Sequence, residues 1–138
     1  MSFSDAYVDH VLAPDYRFVG EHLYAELLDS MTAHVRTVRA LPDVQADSAA
    51  VAAADRLISE LVALHGEQLP VRAQGVPDAY FAINRVLEDR LGADTVSLLR
   101  TGLSRNDLDM TVYKLAARSR NLELQTALAE LREAIQEQ

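Results

Sequence analysis

The chain has 138 residues, a formal net charge of -8 and no cysteine. A chain of this length can bury enough apolar surface to fold as one domain, and the lack of thiols excludes disulfides, thiolate metal sites and cysteine nucleophiles. The excess of carboxylates argues against binding to nucleic acid or to an anionic membrane surface, because both require clustered cations.

The first third of the chain predicts two helices that are separated by Pro14. Residues 4–12 predict a short helix that ends before this proline. Residues 14–41 then predict one long helix, because its apolar side chains fall within one arc of a helical wheel and Pro42 ends it. The arc contains Tyr16, Val19, Leu23, Leu27, Met31, Val35, Val38 and Leu41.

The middle of the chain predicts three further helices. Asp47 or Ser48 is a typical N-cap for a helix that ends at His65, and Gly66 follows where a left-handed C-cap is expected. Its predicted inward stripe is Val51, Ala54, Ile58, Leu61, Val62 and His65. Residues 69–77 contain two prolines and a glycine and predict a loop. A helix over 78–91 and a short helix over 94–101 follow.

The last predicted helix begins near Ser104 and carries two apolar stripes on opposite faces. Ser104 and Asp107 have the spacing of a capping box. The first stripe is Leu108, Val112, Leu115, Ser119 and Leu122, and the second is Met110, Tyr113, Ala117, Leu124, Leu128, Leu131 and Ile135. Either the helix breaks within residues 119–121, or it is continuous and its second stripe packs on this chain or on a second molecule.

These patterns predict an all-α fold. No window alternates apolar and polar residues with enrichment in β-branched side chains, so no strand is expected. We predict a single-domain helical bundle over residues 1–138, with five to six helices and a long C-terminal helix. The first ten residues lack a basic segment followed by an apolar segment, so we expect no signal peptide.

A ridge of polar residues on the first long helix raises the question of a metal site. His22, Glu26, Ser30 and His34 recur at every fourth position. Twelve residues of helix separate the two histidines by about 18 Å, which is too far for one metal ion. His22 and Glu26 remain as candidate ligands, but the sequence holds no matching pair for a facing helix. We therefore predict no metal and no cofactor.

Ser30 and His34 could instead be a nucleophile and its base. Such a pair needs a third group that orients the base, and Val38 occupies the next position on the ridge. No G-x-S-x-G motif is present. We interpret Ser30 and His34 as buried polar anchors, with a histidine that a hydroxyl one turn away satisfies.

Basic residues cluster locally between Arg100 and Arg120, and without interleaved aromatic residues they predict ordinary surface charge.

The leading functional hypothesis is a non-enzymatic protein–protein interaction module, similar in profile to immunity proteins, antitoxins, adaptors and secretion chaperones. The predicted interface is Leu124, Leu128, Leu131 and Ile135, used for homodimer formation or for another protein, with a basic partner favoured by the acidity. One alternative is a bundle that binds a small ligand or metal through His34, Ser30, Tyr80 or Asn84. Another is an enzyme whose site the sequence does not reveal. We expect a cytoplasmic location, and arginine-rich, lysine-poor composition is typical of a GC-rich bacterial genome.

Overall fold

The computed structural model describes residues 3–137, and these form an all-α fold in which no β-strand occurs. This confirms the predicted fold class. Six helices of the described region have eight residues or more, in agreement with the five to six expected. The helices are α1 Asp5–Tyr7, α2 Ala13–His22, α3 Tyr24–Arg39, α4 Pro42–Gln45, α5 Ser48–Leu64, α6 Ala79–Leu91, α7 Ala93–Arg100 and α8 Arg105–Gln136, with a π-helical turn over Val8–Leu12.

Pro14 does not separate two helices, so the prediction of a helix that ends before it was wrong. The π-helical turn carries the chain from α1 directly into α2, and Pro14 lies in the first turn of α2. The Ala13 amide donates to the Val8 carbonyl, so the helical hydrogen bonds continue up to Pro14, which has no amide to donate.

The continuous helix predicted over residues 14–41 was also wrong, since the chain divides at Leu23. Leu23 has φ -133° and ψ 0°, which is not helical, and α2 ends just before it. Its amide still donates to the Val19 carbonyl at 2.9 Å, so the division is a local bend. The Leu23 side chain is buried in the core, which holds α2 and α3 at this bend. The second helix, α3, then ends at Arg39.

Local capping agrees with the prediction at the start of α5 and fails at one glycine. The Asp47 carboxylate accepts from the Ala49 amide at the start of α5, and the Asp78 carboxylate accepts from the Phe81 amide at the start of α6. Gly66 was expected in the left-handed conformation and does not adopt it. Its amide donates to the Ala63 carbonyl, so the chain continues the turn of α5 instead.

The core is built around α3, which packs against α5, α7 and α8. The set of inward-facing residues predicted for α5 was partly wrong. Val62 and His65 are exposed, while Leu57 and Leu64 are fully buried. The largest fully buried side chains are Leu28, Met31, Leu57, Leu61, Leu64, Ile83, Leu87, Leu99, Val35 and Val96.

Two contacts attach the loop between α5 and α6 to the bundle, one at the middle of the loop and one at the start of the loop. The Tyr16 hydroxyl donates to the Pro70 carbonyl. Burial raises the pKa of Tyr16 to about 12. Arg90 of α6 donates to Glu67 at 2.9 Å and to Glu60 of α5 at 2.5 Å.

The last helix is continuous, so the alternative of a break within residues 119–121 is excluded. Leu108 and Val112 of its first stripe are buried in the core. From Ala117 onward every residue that the structure describes is exposed. The predicted capping box does not form, because the Ser104 side chain makes no cap hydrogen bond.

Candidate functional site

Residues 117–137 of α8 project from the bundle, and we call this segment the α8 arm. A helix rises 1.5 Å per residue, so the arm extends for about 30 Å. Leu124, Leu128, Leu131 and Ile135 form an apolar line along it, which we call the α8 stripe. Their exposed fractions are 55–65%. The stripe therefore packs on no other part of the chain described here, and packing on this chain, one of the two explanations for it, does not occur.

The α8 stripe has the spacing of a coiled-coil seam. The intervals between its residues are four, three and four, so Leu124 and Leu131 take heptad position d while Leu128 and Ile135 take position a. Continuing the pattern toward the bundle places Asn121 at position a and Ala117 at position d. A single Asn at position a is a recurring device that sets the register and the number of helices in a coiled coil.

Charge is distributed unevenly along the end of α8. Residues 114–121 contain Lys114, Arg118 and Arg120 and no carboxylate, whereas residues 122–137 contain four Glu and one Arg. Among the described residues, no ion pair involves any of the three cations. The end of α8 therefore has a basic segment over residues 114–121 and an acidic segment over residues 122–137, and both can meet charges on another molecule.

The other predicted basic residues do not join these three in one patch. Arg100 pairs with Glu88 at 2.7 Å, and Arg105 pairs with Asp78 at 2.9 Å. Arg105 also pairs with Asp109 on the next turn of α8. These two arginines hold the bundle together at its surface.

The two candidate metal ligands lie on different helices, because the bend at Leu23 separates them. His22 ends α2, where its ring lies 5.0 Å from the ring of Phe18 and its Nε2 lies 3.8 Å from Glu21. Glu26 is in the first turn of α3. Within the described residues, no three His, Cys, Asp or Glu side chains come close enough to share a metal ion.

Ser30 and His34 lie at the junction of α3 with the start of α8, where Asp107 joins them. These residues line a small pocket of about 190 Å³. The Ser30 hydroxyl and the His34 Nε2 are buried, and neither makes a hydrogen bond with the chain as described, so the prediction that this hydroxyl satisfies the histidine was wrong. A nucleophile and its base must be hydrogen-bonded to each other, so this arrangement lacks the relay that a serine hydrolase uses.

The four proposed anchors of a core ligand do not share one cavity. Tyr80 and Asn84 line a separate pocket of about 270 Å³ beside the loop before α6, away from Ser30 and His34. Asn84 donates to the Tyr80 carbonyl at 2.8 Å through its side-chain nitrogen. The polar residues of α3 and those of α6 therefore do not form one binding site.

A larger cleft of about 380 Å³ lies between the N-terminal helices and α6 and α8. Its apolar floor includes Leu23 and Leu27, and Asp78, Asp109 and Arg105 line one side. Burial raises the pKa of Asp109 above its usual value, and the neighbouring charge of Asp78 adds to this effect while Arg105 opposes it. Sequence reasoning missed this cleft because its lining comes from segments far apart in the chain.

No protein-family model, curated protein or solved structure matches this chain. Within residues 3–137 no helix has the length and apolar character that a membrane crossing requires. The α8 arm is the most prominent feature of the described molecule that has no internal role.

Proposed function

We propose that this chain is a non-enzymatic protein–protein interaction module, which pairs its α8 arm with the α8 arm of a second copy. The observation that carries the proposal is the α8 stripe, whose four large apolar side chains are more than half exposed along a projecting helix. A leucine-rich stripe in water is an aggregation hazard for a monomer. Pairing two arms along this seam removes both stripes from water.

The heptad spacing supports a partner that is itself a helix. In a coiled coil, side chains at positions a and d insert between four residues of the facing helix. A second copy offers the same seam of large apolar side chains. The small side chains of Ala127 and Ala134 flank the stripe at position g, where they allow the two backbones to approach closely.

The magnitude of this burial predicts a reversible dimer. Full burial of a large apolar side chain contributes about 1.5–3 kcal/mol, and roughly half of this remains to be gained at each exposed position. Eight such positions in two arms together contribute roughly 8 kcal/mol, and association costs about 4–15 kcal/mol. The two terms are comparable, so we expect monomer and dimer to exchange with concentration.

Sedimentation equilibrium over a range of concentrations tests the proposal. We expect the unmodified chain to move from monomer toward dimer as its concentration rises. The double variant Leu128→Glu, Leu131→Glu places charges in the seam, and we expect it to remain monomeric. Because both positions are exposed in the monomer, its circular dichroism and its thermal unfolding should match those of the dilute unmodified chain.

A matched control adds the same two charges on the opposite face of the arm. Ser119 and Thr126 take heptad position f, so Ser119→Glu, Thr126→Glu should still form the dimer. A chain that stays monomeric at every concentration would overturn the proposal and assign the stripe to a different protein. Loss of folding in the Leu128, Leu131 variant would show that the stripe belongs to the core.

A further inference from the structure

The pocket at the start of α8 has the composition of a binding site, and its function is separate from that of the arm. It lies between α3 and the first two turns of α8, and its volume is about 190 Å³. We call it the α8 cap pocket. Its lining is Ser30, His34, Gly102, Leu103, Ser104, Asp107, Leu108 and Thr111.

Two side chains of α3 present unused polar atoms to this pocket. Ser30 is only 7% exposed, and its hydroxyl has no hydrogen-bond partner among residues 3–137. The Nε2 atom of His34, one turn further along α3, is also buried and unpartnered. Buried polar groups in folded proteins nearly always have a partner, so the partner of these two groups should come from outside the chain.

The start of α8 adds a second set of unused donors. The first amide groups of a helix have no partner within it and are usually satisfied by a capping side chain. Ser104 is the N-cap residue of α8, yet its side chain makes no such hydrogen bond. The helix that follows has 32 residues, and the positive end of its dipole favours a negative ligand. Gly102 has φ +66° and turns the chain at the rim of the pocket.

The balance of donors and acceptors identifies the ligand class. The hydroxyls of Ser30 and Ser104, the imidazole of His34 and the first amides of α8 favour an oxyanion, whose oxygens are strong acceptors. Asp107 is the one carboxylate in the lining, and it would repel an anion that carries no proton. It would accept a hydrogen bond from an oxyanion that retains one. Inorganic phosphate keeps at least one proton at neutral pH, because its last proton is lost only in strong alkali, whereas sulfate keeps none.

We propose that the α8 cap pocket binds inorganic phosphate in a protonated form. Ser30, His34 and the first turn of α8 donate to its oxygens, and Asp107 accepts from its hydroxyl. No lysine or arginine lines the pocket, so the affinity should lie in the millimolar range.

Nuclear magnetic resonance titration with inorganic phosphate at constant ionic strength tests this assignment. We expect saturable shifts at the amides of residues 102–107 and at the His34 ring, and binding of sulfate at least tenfold weaker. Ser30→Ala and His34→Gln should each weaken phosphate binding about tenfold, as expected for losing a hydrogen bond to a charged group. Asp107→Asn should remove the preference for phosphate over sulfate.

Thr32→Val is the matched control, since Thr32 is also buried and unpartnered on α3 but does not line the pocket. It should leave phosphate binding unchanged. The absence of saturable shifts would show that only water occupies the pocket and would overturn the proposal. Equal binding of sulfate and phosphate would also overturn it, because a helix end alone would then explain the attraction. Neither result bears on the pairing of the arms.

Discussion

Tyr16 shows how one side chain attaches a long loop to the bundle. Its hydroxyl lies at the end of a ring that packs against the core, and it donates to the Pro70 carbonyl, 54 residues further along the chain. Burial raises its pKa because the phenolate would lose contact with water. The neutral phenol is therefore the form that the folded state stabilises.

Removing this hydroxyl should weaken the fold and change its response to alkali. We expect Tyr16→Phe to lower the free energy of unfolding by about 1 kcal/mol at neutral pH, which is typical of one hydrogen bond. The folded pKa is raised from 10.0 to about 12, so the contribution of this tyrosine is complete below pH 10 and declines as the pH rises through that interval. Urea unfolding at several pH values measures both effects.

The loss of stability that ionisation of Tyr16 causes above pH 10 should be absent from the Tyr16→Phe variant. The stability advantage of the unmodified chain over the variant should therefore shrink as the pH rises from 10 toward about 12. A difference between them that stays constant across this range would contradict the prediction. Tyr113→Phe is a suitable control, because Tyr113 is half exposed on α8.

Residue-level predictions from the sequence succeeded where the interaction is local. Asp47 caps its helix because its carboxylate reaches the Ala49 amide two residues ahead, which nearby residues alone determine. Gly66 and Ser104 differ from prediction because the chain beside them is positioned by distant contacts. The loop after Gly66 is held by hydrogen bonds from Tyr16 and Arg90, and the sequence pattern does not predict these contacts.

Helices were predictable where one apolar face was clear and were misjudged where tertiary packing bends the chain. Leu23 fits the apolar arc of a continuous helix, and no proline or glycine marks the bend there. For α8 the sequence was compatible both with a broken helix and with a continuous one. The absence of a helix-breaking residue favours continuity, but whether another helix would cover its second stripe depends on packing that the sequence does not reveal.

The charges of α8 make a specific prediction about how two arms pair. A parallel pair would place the basic segment beside the basic segment of the partner. An antiparallel pair places the basic residues 114–121 beside the acidic residues 122–137. We therefore expect antiparallel arms, with the dimer weakened by added salt because the paired charges are exposed.

Distance measurement between spin labels distinguishes the two orientations. The chain has no cysteine, so Gln136→Cys provides a single labelling site near the tip of the arm. Antiparallel pairing should place the two labels more than about 20 Å apart, since the tips point to opposite ends of a segment about 30 Å long. A markedly shorter distance would establish a parallel pair, in which the two tips lie side by side. Ala127→Cys, beside the seam near the middle of the arm, should give a short distance in either case.

At the scale of the whole molecule, stability and association belong to different parts of the chain. The core lies within the bundle, and it includes Leu108 and Val112 at the start of α8. Beyond Ala116 every described residue of α8 is exposed. The start of this helix therefore holds it to the bundle, and the arm faces outward.

Substitution of leucine by alanine should consequently lower the stability of the fold at one position and weaken only the dimer at another. Leu61 is fully buried in α5, so Leu61→Ala should lower the free energy of unfolding by about 2–5 kcal/mol. Leu131 is 57% exposed on the arm, so Leu131→Ala should change the stability of the dilute monomer by less than about 0.5 kcal/mol, as is usual for surface sites. It should nevertheless weaken the dimer, because it removes apolar surface from the seam. Urea unfolding at low concentration and sedimentation at high concentration measure the two quantities separately. A large loss of monomer stability in Leu131→Ala would mean that the arm folds back onto the bundle in solution.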